Sequence, residues 1–302
     1  MSWLRLLAER RPVTARSFPR PIIQGRFGIG AAGMIDRTKP SYDGAILSFQ
    51  QKRGQESCAF VLPFLRPDMR LLDIGCGPGS VTATLAAHVG EAVGVDIQPR
   101  SVAAAKELAV QAGIGNLSFL EGDMIALPFD DLAFDAVFFH AVLYHQDAMT
   151  LARTLAEARR VLRPGGLVAT RDADVGGNIL HPDLPGLRLA LDLWQRWHEH
   201  GEPDALHFGR RQGAVLRAHG FEPIWAGASY VNHSADAETR REAVDDARRS
   251  LNSLGPKLIE KGQATEAELE EALSSWGVWG SDPDAVYLRC RCECVARKPD
   301  AA

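Results

Sequence analysis

Short apolar strands alternate with helical segments through the middle of this chain. Between residues 69 and 174, the strand candidates are MRLLDI, EAVGVDI, NLSFLEGD, FDAVFFHAV and LVATRDAD. The segments between them have helical spacing, and Pro99 stands where a helix makes its first turn. Strands that are apolar on both faces and alternate with helices predict a parallel sheet covered on each side. We therefore expect an α/β, doubly wound fold.

Composition excludes several classes of protein. The 302 residues carry a formal net charge of −4, which argues against a nucleic-acid-binding polycation. Because no uncharged apolar run reaches about 18 residues, we expect no membrane-spanning helix. A chain this long needs no disulfide or metal to stabilise its core. Its five cysteines are a sparse, odd set, and they predict a reduced, cytoplasmic enzyme.

Residues 1–40 form an arginine-rich segment ahead of the predicted domain, which we place at residues 41–302. The segment ends in a glycine-rich stretch, and its basic, acid-poor composition is also compatible with an organelle transit peptide. The more common alternative is a surface arm. An arm of this kind can pack on a neighbouring subunit, so a homo-oligomer is one expectation.

A glycine-rich turn, DIGCGPGS, follows the first predicted strand. It begins at Asp73 and ends at Ser80. A dinucleotide-binding turn needs a third glycine where Ser80 stands, and no phosphate-binding loop with a lysine is present. The acid at the start of the turn suits a ligand with a cationic head better than it suits a pyrophosphate. Asp96 ends the second strand, where an acid can accept both hydroxyls of an adenosine ribose. Asp123, after the third strand, is placed to accept a hydrogen bond from an adenine amino group, with Ile97 and Met124 as apolar walls.

These residues carry a resemblance to a known family. The segments LLDIGCGPGSVTATLA, VGVDI, LEGDMIALPF and RVLRPGGLV resemble the class I S-adenosylmethionine-dependent methyltransferases, in the branch similar to ubiquinone and menaquinone biosynthesis enzymes that act on small molecules. The similarity extends over about residues 40 to 295. It implies a Rossmann-like, seven-stranded, mostly parallel sheet with an antiparallel last strand, and S-adenosylmethionine as the cofactor. The cofactor residues that we predict are Asp73, Gly75, Cys76, Gly77, Asp96, Ile97, Gly122, Asp123, Met124 and His140.

The acceptor is expected beside the fourth and fifth strands. Tyr144 and His145 follow the fourth strand and are candidates for a general base, although a loop histidine more often caps the next helix. Asp172 and Asp174 end the fifth strand and are candidate substrate residues. The more common role of such carboxylates is an ion pair with a nearby arginine, and two carboxylates are too few for a metal site. Tyr42 is a further substrate candidate from the N-terminal side.

The sequence after the fourth strand, FHAV, departs from the motif of enzymes that methylate nucleobases or protein amides, which leaves small metabolites as acceptors. Helical insertions at about residues 180–215 and 236–280 are expected to cover the acceptor as a lid. Aromatic residues at helical spacing in them are more often core residues than a substrate cage.

Three cysteines in the C-terminal strand, Cys290, Cys292 and Cys294, are expected to be small buried residues. Two alternatives remain open from these residues: a nicotinamide-dependent oxidoreductase and a non-catalytic cofactor-binding module.

Overall fold

A computed structural model of the chain describes residues 54–198 and 205–300. These residues belong to two compact units, the first ending at Met124 and the second beginning at Ile125. The predicted N-terminal arm and Tyr42 lie outside the described residues, and so do residues 199–204 and 301–302.

Within residues 54–124, the first unit contains three parallel strands and two helices. In chain order they are β1 (Arg70–Ile74), α1 (Ser80–Ala86), β2 (Glu91–Asp96), α2 (Pro99–Ala112) and β3 (Leu117–Glu121), preceded by short 3-10 turns at Gln55–Ser57 and Leu62–Phe64. The strand order is β3-β2-β1, with β2 in the middle. The registers pair Asp73 with Gly94 and Asp96 with Glu121, so the carboxyl ends of β1 and β2 lie side by side.

Helix α2 begins at Pro99 as the sequence predicts, and Gly113 caps its carboxyl end in a left-handed conformation with φ of 64°. Its buried face packs with Cys76 of the glycine turn and with Phe119 of β3. The Phe119 ring lies so close to β2 that a Cβ at Gly94 would come within 2.4 Å of it. This packing holds the helix and the glycine turn against the strands.

The second unit contains five strands and five helices among its described residues. These are β4 (Phe134–His140), α3 (Ala148–Val161), β5 (Leu162–Ala173), β6 (Ile179–His181), α4 (Pro185–His198), α5 (Phe208–Ala218), β7 (Glu222–Asn232), α6 (Ala237–Glu260), α7 (Glu266–Ser281) and β8 (Val286–Arg297). Three short 3-10 turns stand between them, at Leu143–His145, Val175–Gly177 and Ala205–His207. Strand β4 is parallel to β5, whereas β8 runs antiparallel to β5, β6 and β7.

The two predicted insertions fold as helices that share one apolar core. Leu193 of α4, Leu251 of α6 and Trp279 of α7 are each at least 98% buried in it. Thr265 caps α7 in a reciprocal capping box with Glu268. The aromatic residues of α7 are therefore core residues, which was the favoured alternative. The lid itself stays a prediction.

The α/β class and the antiparallel last strand are confirmed, but residues 54–198 and 205–300 contain eight strands where seven were expected. The additional strand is β6, which has three residues and pairs only with β8 among the described residues. Cys290 and Cys294 are buried as expected, while Cys292 is half-buried, and all five cysteines are free thiols. No helix within residues 54–198 or 205–300 has the length and apolar character that a membrane crossing requires.

Candidate functional site

The glycine turn after β1 is folded tightly against the end of β2. The backbone N–H groups of Gly75 and Cys76 both donate to the carbonyl of Val95, at 2.8 and 3.1 Å. Gly79 has a φ of 82°, and a Cβ there would lie 2.5 Å from the Phe119 ring, so glycine is required. The turn therefore places main-chain atoms close to the carboxyl ends of β1 and β2, and its glycines add no side chains there.

Asp96 fastens this turn to the end of β2. Its Oδ2 accepts a hydrogen bond from the N–H of Gly77 at 2.9 Å, and its Oδ1 accepts one from the N–H of Gln98 at 2.8 Å. Burial raises the pKa of Asp96, and these backbone N–H groups act to lower it. Each carboxylate oxygen has a second lone pair, so Asp96 retains the capacity to accept from ligand hydroxyls.

Asp73 lies at the end of β1 with one oxygen satisfied and one not. Thr82 Oγ1 donates to its Oδ2 at 2.6 Å, whereas Oδ1 is buried without a hydrogen-bond partner. Burial raises the pKa of Asp73 to about 7, opposed by the bond from Thr82 and reinforced by the charge of Asp96. A buried acceptor without a partner is costly and indicates a site where a donor binds.

The other predicted cofactor residues of the first unit lie around the same strand ends. Ile97 is 48% exposed directly after Asp96, which is unusual for a large apolar side chain. The N–H of Gly122 donates to the carbonyl of Asp96 at 3.1 Å, and Asp123 and Met124 are half-buried beside it. The thiol of Cys76 is buried, which raises its pKa well above the usual value and leaves it unreactive.

This set of residues fits S-adenosylmethionine. Asp73 offers an unpartnered carboxylate oxygen for a cationic amino group, Asp96 offers lone pairs for ribose hydroxyls, and Ile97 offers an exposed apolar wall. The individual contacts remain predictions.

His140 ends strand β4 in the second unit. It is 8% exposed, and its ring stacks on that of Phe138 at a centroid distance of 6.5 Å. Its Nε2 lies 3.0 Å from Nη1 of Arg171, the residue that pairs with it on β5. The contribution of His140 to the cofactor site stays a prediction.

Tyr144 and His145 form a 3-10 turn immediately before α3. Their ring centroids are 3.7 Å apart, Tyr144 is buried, and His145 is half-buried. The helix cap expected of His145 is instead supplied by Asp147, whose carboxylate accepts from the N–H of Thr150 at 2.8 Å. The alternative that His145 only caps the helix is therefore wrong, and its role as a general base stays a prediction.

The two carboxylates at the end of β5 have different surroundings. Asp174 makes two hydrogen bonds to the Arg210 guanidinium, at 2.6 and 2.8 Å, and a third to its backbone N–H. Although burial acts to raise it, these bonds lower the pKa of Asp174, and the expected ion pair with an arginine is confirmed. Asp172 is fully buried, which raises its pKa to about 6, and its Oδ1 has no hydrogen-bond partner.

A row of polar residues, buried at Arg171 and Glu293 and half-buried at Ser229, was missed by sequence reasoning. Arg171, Glu293 and Ser229 form a bonded group on β5, β8 and β7, with Arg171 Nε 3.0 Å from Glu293 Oε1. The available signal was an arginine near the end of the fifth predicted strand, LVATRDAD, together with a glutamate in the C-terminal strand.

Comparisons with known proteins agree with this geometry. A family described as a methyltransferase domain matches residues 72–170. The 27-O-demethylrifamycin SV methyltransferase of Amycolatopsis mediterranei is 34% identical over 262 residues, covering 85% of this chain and 87% of that protein. The chain belongs to the methyltransferase family. A probable methyltransferase of Aspergillus luteorubrus, ltbC, is 29% identical over 294 residues, 89% of this chain and 100% of the relative.

Solved structures show that this methyltransferase has the expected fold. The YcgJ protein from Bacillus subtilis matches with a TM-score of 0.52 at 20% identity, over 82% of this chain and all of the other. A phosphoethanolamine N-methyltransferase of Haemonchus contortus, solved with S-adenosylhomocysteine, has a TM-score of 0.50 at 18% identity, over 82% of this chain and 53% of that one. The Rossmann-like fold and the resemblance to S-adenosylmethionine-dependent methyltransferases are thus confirmed.

Proposed function

We propose that Asp73, Asp96 and the glycine turn of this methyltransferase hold S-adenosylmethionine, and that its methyl group is transferred to a small, partly apolar metabolite. The observation that carries the first part is the buried, unpartnered Oδ1 of Asp73 beside the glycine turn. Two buried acids at neighbouring strand ends are unfavourable unless a ligand donates to them or carries positive charge. S-adenosylmethionine supplies an ammonium group, two ribose hydroxyls and a reactive methyl group on a sulfonium.

The acceptor proposal draws support from the relatives. One is named for demethylrifamycin SV, and a Bacillus subtilis relative, 26% identical over 171 residues, is named as a demethylmenaquinone methyltransferase. Both names describe small molecules as methyl acceptors. The acceptor atom stays open among oxygen, nitrogen and carbon.

The protein's task in such a reaction is alignment. In-line displacement on a methyl group needs the nucleophile held close and dry, and proximity alone contributes about 7–11 kcal/mol to lowering a barrier. A protonated acceptor also needs a base. His145 is our candidate because it stands half-buried on the turn after β4, with the Tyr144 ring tilted against its own at a centroid distance of 3.7 Å. Asp172 and Asp174 are proposed to shape the acceptor side, and the helices α4, α6 and α7 to cover it.

A turnover screen with labelled methyl donor tests this proposal on phenol, amine and carbon-acid acceptors. With an acceptor found, we expect His145→Gln to lower turnover by about 10²–10⁴-fold. The matched control is His219→Gln, because His219 makes a local bond to the carbonyl of Val215 at 2.8 Å. Cofactor binding without turnover on any acceptor class would instead favour a non-catalytic module.

The cellular setting is also part of the proposal. Five free thiols fit a reducing compartment, so we place the protein in the cytoplasm. We expect neither nucleic acid nor a membrane span among its interactions, and self-association through residues 1–40 as a homo-oligomer remains a prediction.

A further inference from the structure

The row of polar residues in the second unit crosses four strands on one face of the sheet. His140 on β4 pairs in register with Arg171 on β5, and Arg171 pairs with Glu293 on β8. Ser229 on β7 completes the row through hydrogen bonds to both Arg171 and Glu293. Arg171 is 2% exposed, Glu293 5% and His140 8%, so these three side chains are almost entirely removed from water, whereas Ser229 at the β7 end of the row is half-buried.

The arginine in this row is fully engaged on one side. Its Nε donates to Glu293 Oε1 at 3.0 Å, and its Nη2 donates to Ser229 Oγ at 3.0 Å. Ser229 Oγ in turn donates to Glu293 Oε1 at 2.5 Å. Burying an ion pair in this way brings little net stability compared with apolar residues of similar size. The ion pair does, however, hold Arg171 in place beside His140.

Arg171 Nη1 points at His140 Nε2 across 3.0 Å. A guanidinium has only donors and keeps its charge at all accessible pH values. The nitrogen that it faces must therefore present a lone pair, and the single proton of a neutral imidazole is then on Nδ1. A proton on Nε2 would place two donors and two positive charges against each other.

We infer that Arg171, held by Glu293 and Ser229, is a positioning residue that fixes His140 as a neutral imidazole with its proton on Nδ1. The inference rests on the proposed function in one respect: it assigns roles to residues at the strand ends where we place the reaction. His140 does not take a proton from the acceptor through Nε2, because Arg171 occupies that lone pair. A proton released in the reaction must go to another group, for which His145 is our candidate.

Nitrogen NMR of the full-length protein at neutral pH tests this inference directly. His140 is assigned among the nine histidines by comparison with His140→Gln. We expect its Nε2 to resonate as an unprotonated nitrogen and its Nδ1 as a protonated one. A protonated Nε2 in the wild type would overturn the inference.

Variants then test whether Arg171 is the cause. The double variant Arg171→Met/Glu293→Met removes both charges, so no unpaired charge is left buried, and we expect the Nδ1–H preference of His140 to disappear. The matched control is Arg163→Met, which removes an arginine of the same strand that bonds Asp135 at 2.6 Å. If the double variant does not fold, Ser229→Ala should still shift the His140 nitrogen resonances. If the double variant folds, an unchanged His140 tautomer would refute the inference. If only Ser229→Ala can be tested, unchanged nitrogen resonances of His140 would refute it.

The same samples separate this inference from the proposed function. Calorimetric titration with S-adenosylmethionine reports on the cofactor, while the tautomer of His140 is read without any ligand. Wild type with the Nδ1–H tautomer but no cofactor binding would contradict the proposed function alone. Cofactor binding with the proton on Nε2 would contradict the positioning role alone.

Discussion

Asp73→Asn should make the ligand-free protein more stable at alkaline pH. Folding raises the pKa of Asp73 from 3.8 to about 7. At a pH between these two values, Asp73 therefore keeps its proton in the folded protein but has lost it in the unfolded chain. Stability is then lost as pH rises from about 4 to 7, because the folded state binds more protons than the unfolded one. By pH 8 the penalty amounts to about 4 kcal/mol. Asparagine cannot ionise, so the variant avoids it.

The substitution also has a cost. The amide oxygen can keep the hydrogen bond from Thr82, but the amide NH2 then occupies the position of Oδ1, which has no partner. A buried donor without a partner costs about 1–3 kcal/mol. We therefore expect a net gain at pH 8 of about 1–3 kcal/mol. The clearer signature is the pH dependence, since the variant's advantage should grow by about 2–3 kcal/mol between pH 5 and pH 8.

Chemical denaturation of both proteins at pH 5 and pH 8, without ligand, measures this difference. The control is Asp68→Asn, whose carboxylate is exposed and bonds Arg66 at the surface, and it should show no pH-dependent gain. A difference in unfolding free energy between Asp73→Asn and wild type that stays constant from pH 5 to pH 8 would refute the reasoning.

Three further predictions concern packing and hydrogen bonds. Leu193→Ala should lower the free energy of unfolding by about 2–5 kcal/mol, since Leu193 is fully buried in the core of the helical insertions. A loss below about 0.5 kcal/mol in urea denaturation would mean that the two helical insertions share no core. Gly94→Ala should cost about 1–3 kcal/mol in the same assay, because the new methyl group would lie 2.4 Å from Phe119; wild-type stability would contradict that packing. Arg160→Met should lower the free energy of unfolding by about 1–3 kcal/mol, since it removes hydrogen bonds to Glu157 at 2.8 Å and to two backbone carbonyls. Thermal or urea denaturation measures this loss, and unchanged stability would show that these bonds are not formed in solution.

The acids of the first unit were predictable because a simple rule locates them. Asp73 and Asp96 end consecutive buried strands, and the carboxyl ends of parallel strands share one edge of a sheet. The glycine turn between them is read directly from neighbouring residues. The sequence therefore indicates both the fold and the proposed cofactor residues of the first unit without any knowledge of register.

The polar row of the second unit could not be predicted in the same way. Arg171 and Glu293 are 122 residues apart, and they meet only because β8 enters beside β5 in one particular register. A shift of one residue would point Glu293 to the opposite face. Strand β6 was missed because its three residues are too few to show alternation. The alternative that His145 caps helix α3 is wrong because Asp147, two residues later, is the residue that caps this helix.

Calorimetric titration of S-adenosylmethionine, its demethylated product and NADH into the wild-type protein tests the central claim most directly. Asp96→Ala is the decisive variant, because Asp96 both fastens the glycine turn and is proposed to bind the ribose. The control is Asp68→Ala, an exposed acid of the same unit. We predict binding of S-adenosylmethionine and its product in the micromolar range, lost in Asp96→Ala and kept in Asp68→Ala, with no binding of NADH. A folded wild-type protein that binds neither S-adenosylmethionine nor its product, or that binds NADH in their place, would contradict the account.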